Sequence, residues 1–245
     1  MKKNKSSRTS SFALMILMAF FSTAFAQEMQ RENNEAPVLD YDTEIQKTVS
    51  KERHEKKKRF NDACSLFGSG RTVITELPKG VEPLPTITHW WIGLPALPFE
   101  QSTAIVLGEV IQAEAHLSDN KTGIYSEFLI KIEEVFKDTS KLVRLKNTVS
   151  ANRCGGSVRF ASGRVNKYRT HREGMPQKGE RYLLFLKQSE SEDFFILTGY
   201  KLSEGKVMPL DGEDSKDPRA ALAFAKYRET GEIRLLQDLR TSLGY

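Results

Sequence analysis

The chain has 245 residues, with 37 Lys and Arg against 32 Asp and Glu, a net charge of +5. Four of the basic residues, Lys2, Lys3, Lys5 and Arg8, fall in the first 26, where there is no acidic residue, so the remainder balances at 33 against 32, or +1. Global basicity is therefore no argument for a nucleic-acid partner.

The basic start leads into an unbroken apolar run, Phe12 to Phe21, and Ala24-Phe25-Ala26 then supplies the small residues that signal peptidase selects. The run is well short of the roughly 20 apolar residues that span a bilayer. The sequence predicts a signal peptide over residues 1–26, cleavage after Ala26, and a secreted or periplasmic mature chain with no stable membrane span.

Residues 27–77 form a polar, charge-dense arm. Lys51 to Arg59 (KERHEKKKR) is almost all charge, and Ile45 and Val49 begin a helical stripe that nothing apolar continues before Phe60. Such a segment is a solvated helix or a disordered arm with no core of its own. Its basic run is either a solvated face or an electrostatic tether to acidic polymers or headgroups. Cys64 lies near its end, and the only other cysteine is Cys154. In an oxidising compartment this even pair suggests one disulfide, the alternative being two buried or free thiols. Residues 78–102 are a Pro-rich connector holding both tryptophans, Trp90 and Trp91, which either cover a barrel end or sheet face or form an exposed partner patch.

Strand signals begin at Thr103 and continue to Leu210. The run from Thr103 to Leu117 is apolar on both faces before Gly108. Beyond it, Ile111, Ala113, Ala115 and Leu117 alternate with Gln112, Glu114 and His116. Gly108 marks a bend or bulge. A second strand, Ile124 to Lys137, turns Phe128, Ile130 and Ile132 inward, and the turn Asp119–Gly123 precedes it. A weaker strand, Lys146 to Asn152, ends at Gly155-Gly156. Ser157 to Arg169 then reads as a hairpin about Ser162-Gly163. Arg181–Lys187, Asp193–Thr198 and Gly205–Leu210 complete the set. Short strands at regular spacing predict a mainly β fold, a small antiparallel OB-like barrel over 103–210. Over 211–245 the period becomes helical. Asp217 and Pro218 open one helix that ends at Gly231, and Ile233, Leu236, Leu239 and Leu243 space as one face of a second.

Ser102–Val110, Tyr125–Phe128 leading into Glu133–Lys137, Gly155-Gly156 and Gly179–Leu186 (GERYLLFL) together resemble a group of secreted bacterial proteins of unknown function. More distantly, their order resembles the OB-type barrel of netrin-like domains and tissue inhibitors of metalloproteinases. The resemblance covers about Thr103 to Leu210 and implies the barrel. It also implies a correspondence between Cys154 and the barrel cysteine that pairs with an N-terminal one. The inhibitors' zinc-chelating Cys-x-Cys start has no counterpart, because Cys64 stands alone as Cys64-Ser65-Leu66.

No residue set commits the chain to a reaction. Nucleophile elbows, zinc-protease helices, phosphate loops and dinucleotide fingerprints are missing from the sequence. His54, His89, His116 and His171 are scattered, and Glu133 and Glu134 point to opposite faces of a strand. The sequence thus predicts no catalytic residue, metal or cofactor. Arg153, Arg159, Arg164, Lys167, Arg169, Arg172, Lys178 and Arg181 crowd the hairpin, with Phe160 and Tyr168 interleaved. OB-type barrels bind through basic and aromatic surfaces. The expected function is a secreted non-enzymatic binding or accessory module. Its partner face is built from Arg159, Arg164, Lys167, Tyr168, Arg169 and Arg172, and its partner is a protein or an acidic glycan rather than nucleic acid. The alternatives are an extracellular protease inhibitor presenting Cys64 or Trp90-Trp91, and a hydrolase with an unrecognised site.

Overall fold

The computed structural model describes residues 36–64, 73–81, 94–144, 146–169, 173–189, 193–212 and 223–245. Residues 1–26, read above as a signal peptide, His89, Trp90, Trp91, His171, Arg172, and Asp217 and Pro218, where a helix was expected to open, lie outside them. Among the described residues no helix is long and apolar enough to cross a membrane.

Three long strands, β2 (Ala104–Leu117), β3 (Ile124–Asp138) and β4 (Thr148–Arg159), form an antiparallel meander. Strand β6 (Arg181–Gln188) returns antiparallel to β2, and β7 (Phe194–Ser203) runs antiparallel to β6. A short parallel contact from β7 to β4, Ala151 to Phe194 and Asn152 to Phe195, closes the ring. The fold is mainly β, built on a closed five-strand barrel. Four of its seams are antiparallel, and this connectivity is that of an OB-type barrel. Strand β8 (Lys206–Pro209) extends the sheet beyond β7.

The barrel interior holds Val106, Val110, Phe128, Ile130, Leu184, Leu186 and Ile196. The opposite faces of the same strands, with Ile105, Leu107, Leu183, Phe185 and Tyr200, pack against the C-terminal segment. This double burial explains why β2 and β6 read as continuous apolar runs. The register of β2 on β3 shifts at Gly108, where a Cβ would stand 2.3 Å from the Lys131 carbonyl oxygen. A later shift, between Val110 and Gln112, makes Ile111 the extra residue, so the inward set changes from even to odd positions there.

Gly155-Gly156 does not end the strand as the sequence suggested. Strand β4 runs through both glycines and passes from the barrel into a second, three-stranded sheet. There it is flanked by β1 (Val38–Asp40), which is parallel to it, and β5 (Val165–Arg169), which is antiparallel. Gly155 has φ 107°, a conformation other residues rarely adopt. Gly156 lies so close to Ile124 that a Cβ would meet its side chain at 2.8 Å. The inner face of this sheet buries Leu39, Val158 and Tyr168 with Ile74 and Phe160. The hairpin turns at Ser162-Gly163, as expected.

The arm contains two helices, α1 (Tyr41–Gln46) and α2 (Lys51–Ala63). Ile45 is exposed on α1 and Val49 lies between the two helices, so the two share no stripe. At the other end, α3 (Glu232–Leu243) buries Leu235 and Leu239 and packs Leu236 and Leu243. Ile233, placed on the inward face by sequence spacing, is 74% exposed. The helix is rotated so that adjacent Leu235 and Leu236 share the inward arc, a width that a single i, i+3 series underestimates. Phe224 and Tyr227 pack beside it.

Candidate functional site

Helix α2 is mostly charge, yet one face of it is built into the barrel. Arg53, Lys56, Lys57, Phe60 and Cys64 recur at i, i+3, i+4, i+7 and i+11, the spacing of a single helical face. Phe60 is fully buried and stacks on Tyr125, with ring centres 3.8 Å apart. Cys64 is bonded to Cys154 of β4, with a Cα separation of 5.2 Å. The disulfide is thus present, and Cys64 is 3% exposed rather than presented at the surface.

The cations meet carboxylates that the barrel and α1 hold in place. Arg53 reaches Glu127 at 2.6 Å and Lys56 reaches it at 2.9 Å. Arg59 contacts Asp193 at 2.5 Å, and Lys57, largely buried, contacts Glu44 at 2.6 Å. Burial raises the Glu127 carboxyl, but hydrogen bonds from Arg53, Lys56 and Ser150 and the Lys56 charge outweigh it and hold it at about 2. At Glu44, burial is likewise overcome by the His116 imidazole and the Lys57 ammonium, leaving it at about 2. Burial pushes the Tyr125 phenol up.

These contacts span β3, β4 and two connections. In the β2–β3 turn, the Asp119 and Asn120 amides donate to the Lys57 carbonyl and Asn61 Oδ1, while His54 lies 3.0 Å from Asp119. Asp193 belongs to the β6–β7 connection. OB-type barrels bind ligands on the face of their second and third strands and on the loops after the first and fourth. Here those are β3, β4 and these two connections, and α2 lies across them. The run Lys51 to Arg59, expected to be a solvated face or a tether, instead turns Arg53, Lys56 and Lys57 onto carboxylates. The available signal was a stripe of cations at helical spacing ending on Phe60 and Cys64.

The hairpin residues nominated from sequence separate into three groups. Arg159 and Lys167 are exposed, and Arg159 lies 3.3 Å from Asp40, its partner in register on β1. Arg164 is half-buried and donates to the Leu77 carbonyl. Tyr168 must be removed from the partner face: it is 2% exposed, inside the cluster beneath the second sheet. Arg169 enters β5 through its backbone, and Arg172 lies outside the described residues. Arg153, counted with the hairpin in sequence, is buried at the barrel end. There it donates to both Asp211 oxygens, at 2.7 and 2.8 Å, with Glu173 3.7 Å away. Arg181 likewise pairs with Glu133 and Glu232. Strand alternation puts Glu134 on the other side, against Arg240. Asn120, in a glycosylation-like triplet, accepts hydrogen bonds from Ser118 and Thr122 within its own turn.

Among the described residues no group of three or more His, Cys, Asp or Glu side chains is arranged to hold a metal ion. No family model, no curated protein and no solved structure matches this chain.

Proposed function

We propose that the chain is a secreted, non-enzymatic binding module whose partner face is the outer side of the second sheet. The observation that carries this reading is the way that sheet divides its residues. Leu39, Val158 and Tyr168 pack beneath it, while Arg159 and Lys167 stand exposed outside with Val38 and Val165. The register sets Arg159 between Asp40 and Val165, and Ser157 between Val38 and Lys167, so one side of the three strands carries two valines, two cations, the Asp40 carboxylate and the buried Ser157. Cationic heads over small apolar surface suit an acidic protein or an acidic glycan, and secretion favours both over nucleic acid.

The inhibitor reading has less support. It requires Cys64 or Trp90-Trp91 at the surface, and Cys64 is buried in a disulfide. The test of the lead reading is retention on heparin-like resin. Replacing Arg159 and Lys167 together by Ser is expected to lower the salt concentration of elution, with the melting temperature nearly unchanged. Elution at the parent's salt concentration would remove this face from the proposal.

A further inference from the structure

The edges of the two sheets are finished differently. Beyond β7, strand β8 is covered: the Val207 amide donates to the Thr230 carbonyl, the Glu229 amide donates to the Val207 carbonyl, and Lys206 bridges to Gly231. Strand β5 is the edge of the second sheet opposite β1, and among the described residues β4 is its only strand neighbour. The Phe160 amide closes this hairpin on the Arg164 carbonyl, and antiparallel hydrogen bonds then recur at every second pair. Asn166 and Tyr168 thus turn their backbone groups towards β4, while Val165, Lys167 and Arg169 turn theirs outward. Strand β4 agrees, since its Ser157 amide faces the other way and donates to the Pro37 carbonyl. A row of outward amides and carbonyls is a template for another strand.

Charge selects what that strand is. Val165 and Lys167 are exposed on the outer side of the sheet, with Arg159 beside Val165 in register. A second copy of β5 added antiparallel about Lys167 would set lysine against lysine, which weakens a sheet. An acidic residue at the same place would meet Lys167, with Arg159 one strand further in. The Asp40 carboxylate lies on β1, across β4 from this edge. We propose that the β5 edge takes an acidic extended segment of a partner protein as an added strand, its carboxylates outward beside Lys167 and its apolar side chains inward beside Asn166 and Tyr168. The proposal rests on the outer-face reading above and narrows it to a protein partner, in which main-chain pairing gives affinity and alternate side chains give selection.

The probe is a short fluorescent peptide in which Val and Glu alternate, followed by anisotropy against the full mature chain. Val165→Pro removes one outward amide and no charge, at an edge position where proline is tolerated. It is expected to weaken peptide binding about tenfold or more, and methylating the backbone nitrogens of the peptide should do the same. Retention of Val165→Pro on heparin-like resin should match the parent, because charge alone governs it. A folded Val165→Pro chain that binds the peptide as the parent does, a methylated peptide that binds as well as the unmethylated one, or a parent that ignores the peptide would each overturn the edge as a docking site. If the proline variant fails to fold, the methylated peptide decides. The resin reads the charged face separately. A parent retained through Arg159 and Lys167 that ignores the peptide would keep that face, as a site for an acidic glycan, and remove the added strand.

Discussion

Two basic segments of this chain look alike in sequence and end in opposite places. In α2 the helical period gathers Arg53, Lys56 and Lys57 onto one side, where carboxylates of the barrel and of α1 neutralise them. Lys51 and Lys58 are left outside, the latter against Glu55 one turn back. In the hairpin the period is two, so Arg159 and Lys167 stay out while Val158, Asn166 and Tyr168 go in. A run of positive charge does not by itself say which way it faces. The period of the element that carries it does, together with whatever opposite charge the rest of the fold supplies.

The sharpest test of this difference is the disulfide. Cys64 and Cys154 are 90 residues apart, and closing so long a loop stabilises the fold by roughly 4 to 5 kcal/mol in the chain-entropy model. Cys64→Ser with Cys154→Ser should lower the denaturant midpoint accordingly. A shift close to zero would mean that α2 adds nothing to the fold. Next in size is Phe60→Ala, which empties the stack on Tyr125 and should cost about 3 kcal/mol or more. Val165→Ala, its counterpart on the hairpin surface, should remain within about 0.5 kcal/mol.

Acid provides a smaller and more selective perturbation. Glu44 and Glu127 titrate at about 2 in the folded chain, against an ordinary value of 4.5. A depressed carboxylate adds stability that is fully present above its unfolded pKa and is lost as pH falls through the folded one. The clamp on α2 should therefore weaken between about pH 4.5 and 2. Melting curves of the parent and of Glu127→Gln should differ at pH 6 and converge towards pH 2. A constant difference across that range would show that the ionised carboxylate is not what holds Arg53 and Lys56.

The barrel was legible because alternation and double burial leave direct marks: the RYLLFL of GERYLLFL opens β6, and Phe128 and Ile130 point inward as their spacing predicts. The passage of β4 between two sheets was not legible, because a glycine pair reads as a stop whether the chain turns or merely bends. The site under α2 was hidden for a different reason. Its partners, Arg53 with Glu127 and Cys64 with Cys154, are 74 and 90 residues apart, and burial by ion pairing leaves no hydrophobic signature. Arg153 shows the same effect, as its partner Asp211 is 58 residues away.

The smallest expected effect belongs to the hairpin and completes the contrast. Arg159 and Asp40 are both about half-exposed, and ion pairs so placed contribute little to stability, from nothing to about 1 kcal/mol. Lys167 stands on the same side of the sheet, two register positions along. Arg159→Ser with Lys167→Ser should therefore shift the melting temperature by no more than a degree or two, whereas Arg53→Ser with Lys56→Ser should shift it several times further. The order should reverse for retention on a polyanion, where the pair exposed on the sheet matters and the pair held against Glu127 does not. If the α2 pair instead governs retention, its cations are free enough to meet a partner and the distinction between the two segments fails. If the hairpin pair governs stability, Arg159 is acting through Asp40 to hold β1 against β4, and the outer face of that sheet is structural rather than a surface for binding.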